Sequence, residues 1–309
     1  MTALHIALAA LYALLAASWV FTRRFLPDDS SSKQEILLRI KTWGWILLFL
    51  LPVFIAPAPW PQILLGLVSF MAFKEFITLT PARNQDRWAF LWAYVAIPLQ
   101  YLWAGMAWYG MFIIFIPVYL FLLLPGRMVI AGHPKGFLRA TATMHWGLMT
   151  TVYSLSHMAY LLVLPERQNG FGQPVTGASL LFLLLFLTQA NDIAQFIWGK
   201  TLGKRPVLPL VSPKKTREGL LGGIATTALL ALLLGPVFSP MGYGGATAAG
   251  LIIGVFGFLG DVVMSAIKRD IGVKDSGTLL PGHGGILDRL DSLTFTAPLF
   301  FHFVYYLYY

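Results

Sequence analysis

Near the end of the chain, a few dozen residues hold Asp261, Ser265, Lys268, Arg269, Asp270, Lys274, Asp275, Asp288, Arg289 and Asp291, with apolar runs on both sides. Asp261 closes one such run. Asp288 and Asp291, three residues apart, open the next and would share one helical face. Carboxylates brought together from two helix ends form a hard-oxygen site suited to magnesium, which such sites often share with substrate phosphates. Between them, Gly282, His283, Gly284 and Gly285 can wrap phosphates with backbone N–H groups. His283 alone would say little; its glycine neighbours make it a candidate phosphate contact. Lys268 and Arg269 could neutralise charge developing on a transferred phosphoryl group. A salt-bridged interfacial loop is the plain alternative. It accounts for the balance of acids and bases, but not for the glycines or the aspartate spacing.

A second stretch, Asn191 to Gly223, carries Asp192 and the run Ser212-Pro213-Lys214-Lys215-Thr216-Arg217-Glu218-Gly219. Ser212 can cap a helix and Pro213 fits its first position. A helix start beside two lysines is suited to phosphate; a basic anchor at a membrane surface would look the same. Gly199, Gly203, Gly222 and Gly223 could admit a ligand, although helix packing explains each more simply. Asp192, at the end of an apolar run, is either a site residue or the partner of a nearby lysine. Lys74 and Glu75 are adjacent and point to different helix faces, so a structural role is expected for both.

The elements that must position these residues are membrane helices. The 309 residues are 57% hydrophobic and only 11% charged, with a mean hydropathy of +0.71, whereas a soluble domain carries about a quarter charged residues. Ten apolar runs suit spans: about 3–21, 43–58, 62–80, 88–104, 107–125, 140–164, 178–198, 219–238, 244–264 and 292–309. The pairs 43–58/62–80 and 88–104/107–125 have links short enough for helical hairpins. With this count, 20 of the 22 Lys and Arg residues fall in alternate loops, which the positive-inside rule makes cytoplasmic, leaving both termini outside. The net charge of +9 therefore belongs to loops at the inner membrane face, and nucleic acid is not the expected partner. Cysteine is absent, which excludes disulfides, thiolate nucleophiles and zinc–thiolate sites. The expected architecture is all-α, a polytopic integral membrane protein with about ten transmembrane helices. Residues 1–175 form N-terminal membrane helices. Residues 176–309 form a catalytic membrane unit with cytoplasmic loops 199–218 and 265–291.

The run from Ser265 through Lys268-Arg269, Lys274-Asp275, Gly277, Leu280-Pro281, His283-Gly284-Gly285-Ile286 and Asp288-Arg289-Leu290-Asp291 resembles the signature of phosphatidate cytidylyltransferases, the CDP-diacylglycerol synthases. Ser212-Pro213-Lys214-Lys215-Thr216 with Gly219 resembles the family's second landmark, and Glu75 falls where the family often has an acidic residue. The resemblance is firm from about Ala190 onward. It implies transfer of CMP from CTP to phosphatidic acid, giving CDP-diacylglycerol and pyrophosphate, at the cytoplasmic face of a bacterial inner membrane. It implies magnesium (one or two ions, the second position also suiting a monovalent or another divalent ion) and a homodimer among membrane lipids. Carried over, Asp261, Asp288 and Asp291 hold metal, and Lys268 and Arg269 act on the phosphates beside them. Asp192, Ser212, Lys214, Lys215, Thr216, Lys274, Asp275, His283, Gly284, Gly285 and Arg289 contact substrate.

The chain departs from the family at Gln195-Phe196, where Ala-Tyr is usual after the landmark aspartate. A related lipid phosphate therefore stays open as substrate. A CTP-dependent lipid kinase would have the same nucleotide and metal needs. A transporter would instead place its ionisable groups near mid-membrane, in two related halves.

Overall fold

The computed structural model describes residues 2–25, 31–80, 86–130, 132–277, 279 and 284–309. Where water is absent, long apolar runs must satisfy their own backbone, so helices dominate. In order they are α1 (Ala3–Phe25), α2 (Ser31–Ile55), α3 (Trp60–Leu79), α4 (Arg87–Gly105), α5 (Tyr109–Ile114), α6 (Phe121–Ile130), α7 (Phe137–Leu148), α8 (Ser154–Leu161), α9 (Gly177–Leu202), α10 (Arg217–Phe238), α11 (Tyr243–Ile271), α12 (Leu287–Leu290) and α13 (Leu293–Tyr308). π-helical turns at Phe115–Leu120 and Met149–Tyr153 join α5 to α6 and α7 to α8. Two antiparallel ribbons are the only sheet among the described residues: β1 (Arg167–Gln168) with β2 (Pro174–Val175), and β3 (Pro206–Leu208) with β4 (Ser212–Thr216).

Among the described residues, seven helices are long and apolar enough to cross a membrane, against the ten spans expected. This is a multi-pass membrane protein. The remaining expected spans are helical too, but differ in kind. Residues 137–161 are interrupted by a π turn and bring polar His145, Thr150, Thr151, Ser156 and His157 inside the protein, and α13 has only 16 residues. The two expected hairpins form, α2 packing on α3 and α4 on α5.

Helices α9, α10, α11 and α13 pack as one bundle that carries the candidate residues. Between α9 and α10, glycines lie against the facing helix. A Cβ on Gly219 would stand 2.8 Å from the Gln195 carbonyl, and Gly222 and Gly223 meet Trp198 and Gln195 as closely. These glycines therefore serve packing, as small residues do where membrane helices approach. Buried polar groups fix the register. Asn191, fully buried, accepts from Thr227 of α10 and donates to the Gly254 carbonyl of α11, while Thr188 meets Thr296 of α13 at 3.1 Å.

Candidate active site

The local reading of Ser212 as a helix cap does not hold. Residues Ser212–Thr216 are extended and pair with β3, Leu208 opposite Ser212 and Pro206 opposite Thr216. The helix starts at Arg217. Thr216 is the cap, its hydroxyl accepting from the Gly219 N–H at 3.1 Å. Glu218 in the first turn accepts from the N–H groups of Lys204 and Arg205, closing the ribbon onto the helix. Lys214 and Lys215 therefore project from a strand rather than a helix start. Neighbours on a strand face opposite ways. Lys214 is exposed, and Lys215 turns inward to pair with Asp261 Oδ2, its ammonium lying 5.0 Å from the Phe258 ring centre.

Three elements meet at that ion pair, but Asp192 and Asp261 do not close their helices as the apolar runs suggested. Helix α9 continues to Leu202 and α11 to Ile271, so both aspartates lie inside them, and only Asp291 stands at a helix boundary. Asp192 of α9 accepts from Ser292 Oγ at the start of α13, at 3.1 Å. Asp261 of α11 also accepts from Ser265, one turn on. Asp291 has its carboxyl pushed well above the usual carboxylate range by burial first, then by the charges of Asp261 and Asp192. The approach of α11 to α13 depends on Gly260, where a Cβ would stand 2.6 Å from the Asp291 carbonyl. We predict that Gly260→Ala costs about 1–3 kcal/mol of stability and separates Asp261 from Asp291. Thermal unfolding in detergent checks the first effect and loss of turnover the second.

Asp288 has a different setting from the one its spacing suggests. Helix α12 is a single turn, broken from α13, so Asp288 and Asp291 do not simply open one long helix. Asp288 Oδ1 takes the Lys268 ammonium at 2.6 Å, and Oδ2 accepts from the N–H groups of Ser276 (2.9 Å) and Gly285 (3.0 Å). Burial alone would raise its carboxyl, but Lys268 and the two N–H groups hold it below the usual range.

Beneath the loop sits a residue that sequence reasoning treated as merely structural. Glu75, from distant α3, accepts from Ser276 Oγ through Oε1 and from the N–H groups of Leu287 (3.1 Å, Oε1) and Ile286 (2.9 Å, Oε2). Gly285 lies directly on this carboxylate, with no room for a Cβ. Gly284 adopts a left-handed φ of 80° beside Asp288. The resemblance at Glu75 was the only sequence signal for this contact.

The other expected residues are less engaged. Arg269 is exposed and donates to the Val273 carbonyl, closing the end of α11. Lys274 and Asp275 are exposed. Arg289 is half-buried, with Nε lacking a partner among the described residues. His283, proposed as a phosphate contact, lies outside the described residues.

Among the described residues, no three His, Cys, Asp or Glu side chains are already arranged as a metal cage. The donor set nonetheless suits a divalent cation. The carboxylates are hard oxygen donors, two of them already hold cationic groups (Lys215 on Asp261, Lys268 on Asp288), and Asp291 carries the strain of like charges close by.

Residues 37–307 match the model of a family described as the cytidylyltransferase family. Over 302 residues, 97% of each chain, the protein is 47% identical to a protein of Escherichia coli K12 named only as uncharacterized protein YnbB. It is 49% identical over 131 residues to the phosphatidate cytidylyltransferase of Synechocystis, covering 42% of this chain and 44% of that one. For the phosphatidate cytidylyltransferase of Bacillus subtilis the figures are 44% over 126 residues, 40% and 47%. The chain thus spans less than half the length of these two named enzymes.

Proposed function

Because the chain belongs to the cytidylyltransferase family, and so is a nucleotidyltransferase, we propose that it transfers CMP from CTP to a lipid phosphate, phosphatidic acid first among them, giving CDP-diacylglycerol and pyrophosphate. The observation that carries this reading is the meeting of Asp192, Asp261 and Asp291 with Lys215 where α9, α11 and α13 come together beneath β4. A phosphate monoester is already largely ionised at neutral pH, so the nucleophile needs positioning and charge screening rather than a strong base. One lipid phosphate oxygen bonds to the α-phosphorus of CTP. The bond from that phosphorus to the bridging oxygen breaks, and pyrophosphate leaves with the electron pair.

Magnesium held by Asp261, Asp288 and Asp291, with Asp192 alongside, would neutralise phosphate charge and stabilise the leaving group. Lys215 and Lys268, each seated on one of those carboxylates, are then free to donate to phosphate oxygens. Glu75 and Asp288 hold Ser276 on one side and Gly285, Ile286 and Leu287 on the other, mainly through their N–H groups.

The test is incubation of purified protein with labelled CTP, magnesium and a panel of lipid phosphates. The expected products are a CDP-lipid and one pyrophosphate per turnover. Release of CDP would mark a kinase and overturn the reading, and turnover of another lipid phosphate in preference to phosphatidic acid would revise the substrate.

We place the site at the cytoplasmic face of a bacterial inner membrane, because both catalytic loops fall on the side holding 20 of 22 basic residues. Leu210 and Leu279 are 96% and 60% exposed in those loops, and the chain has no native cysteine. Leu210→Cys and Leu279→Cys should resist an impermeant thiol reagent in intact cells and react once the membrane is opened. Labelling from outside would reverse the orientation.

A further inference from the structure

The hairpin of α1 and α2 carries chemistry that the proposed reaction does not use. Both helices are thinly packed, with only 11% of each apolar window buried within the protein. At their basic ends lies a cavity of about 490 Å³ lined by Trp19, Val20, Arg23, Arg24, Lys33, Gln34 and Leu37. Along the hairpin runs a second groove of about 710 Å³, mostly apolar, where Tyr12, Leu15, Ala16, Leu38, Ile40 and a further basic residue, Lys41, join Trp19, Gln34 and Leu37. The shared residues make the two continuous. One end is dominated by basic and polar groups, and the other is a mainly apolar trough with Lys41 on its wall.

The cationic end is built into the fold. Lys33 is only 6% exposed and donates to the Arg23 carbonyl at 2.9 Å, and the Arg23 guanidinium lies 4.6 Å from the Trp19 ring centre. An arginine stacked on an indole, its backbone carbonyl held by a buried lysine, is fixed in place at headgroup depth. Basic pockets between membrane helices on the cytoplasmic side suit anionic lipid headgroups. The family match begins at residue 37, so α1, Arg23, Arg24 and Lys33 lie ahead of it.

We propose that this hairpin holds one anionic diacyl phospholipid, its phosphate against Arg23 and Arg24 and an acyl chain along Leu15, Leu37 and Leu38. The occupant follows from charge and shape together. A zwitterionic lipid would bring a cation to a cationic pocket, and a soluble phosphate would leave the trough unfilled.

The test is independent of catalysis. Protein is reconstituted in phosphatidylcholine vesicles containing a minor fraction of phosphatidylglycerol, extracted gently, and the retained lipid is counted by native mass spectrometry. The wild type should retain about one phosphatidylglycerol per chain. Arg23→Gln with Arg24→Gln should weaken that preference about 30-fold, from about 1 kcal/mol for each basic side chain at the surface. Leu37→Trp fills the trough without altering charge and should also abolish retention, whereas diffuse attraction to a basic surface would survive it. Neutralising Asp28 and Asp29, which lie in sequence between the two helices, should strengthen retention. Equal retention of phosphatidylglycerol by wild type and the double arginine variant would overturn the proposal, as would equal retention of phosphatidylcholine. So would full retention by a folded Leu37→Trp protein, folding being judged by gel filtration and thermal unfolding. Failure here would leave the reading of the aspartate site untouched, because no turnover is measured.

Discussion

Asp261→Asn is expected to reduce turnover on the order of 10²–10³-fold while leaving the helices folded, the range seen when one electrostatic group of an active site is removed. Asp261 has two jobs in the structure. It seats the Lys215 ammonium, and it lies close enough to Asp291 to raise that carboxyl. Asparagine is nearly isosteric, so packing of α11 against α13 survives, but Lys215 loses its counter-charge and the proposed metal loses a ligand. The loss should appear in kcat more than in KM, because a ligand to the reacting phosphates acts most strongly as charge moves. Lys215→Met gives the opposite imbalance, leaving Asp261 without its cation. Steady-state kinetics against CTP, at several magnesium concentrations, separates the two variants. Turnover of Asp261→Asn within threefold of wild type would mean that the aspartate cluster is structural.

Glu75→Ala should be nearly as damaging, although Glu75 would touch no substrate. The truncation strands three donors, Ser276 Oγ and the N–H groups of Ile286 and Leu287. Each unsatisfied buried donor costs about 1–3 kcal/mol, enough together to release the loop. We expect turnover to fall on the order of 10²-fold, with faster proteolysis near Leu279 and little change in the melting of the helical bundle. Glu75→Gln keeps one acceptor oxygen and should recover part of the activity. A purely structural role would instead lower the melting temperature in step with activity. Activity of Glu75→Ala near the wild-type level would remove Glu75 from the machinery.

The sequence disclosed much of this site for a simple reason. Asp261, Lys268, Asp288 and Asp291 are charged residues at the borders of apolar runs, where composition alone makes them conspicuous. Spacing could not tell which carboxylate faces which cation. Asp288 turns to Lys268 and to the N–H groups of Ser276 and Gly285, while Asp291 lies near Asp261 and Asp192. Ser212 shows the limit of local propensity. Ser-Pro favours a helix start, but pairing of Ser212–Thr216 with Pro206–Leu208 draws the segment into a strand and passes the cap to Thr216, also a favoured cap residue though a somewhat weaker one than serine. That the apolar runs are helical was legible, since length and apolar character suffice where water is absent. The π turns, and the seven rather than ten span-length apolar helices among the described residues, were not. Gly222 and Gly223 carried two meanings in the sequence, and only the closeness of Trp198 and Gln195 selects packing. Glu75 was beyond local reading altogether, because its partners lie in a distant part of the chain.

That distance bears on how the protein is made. Ser276 and Leu287 are 201 and 212 residues from Glu75 along the chain. Chains emerge from the ribosome N-terminal end first, at about 5–20 residues per second, so α3 waits on the order of ten seconds or more before its partners exist. Through that interval every earlier helix can insert and pack, while the Glu75 carboxyl lacks the Ser276, Ile286 and Leu287 donors it finally holds. Activity would therefore switch on in a single late event, when the final loop docks. A stalled or clipped nascent chain would stay silent toward lipid and nucleotide alike.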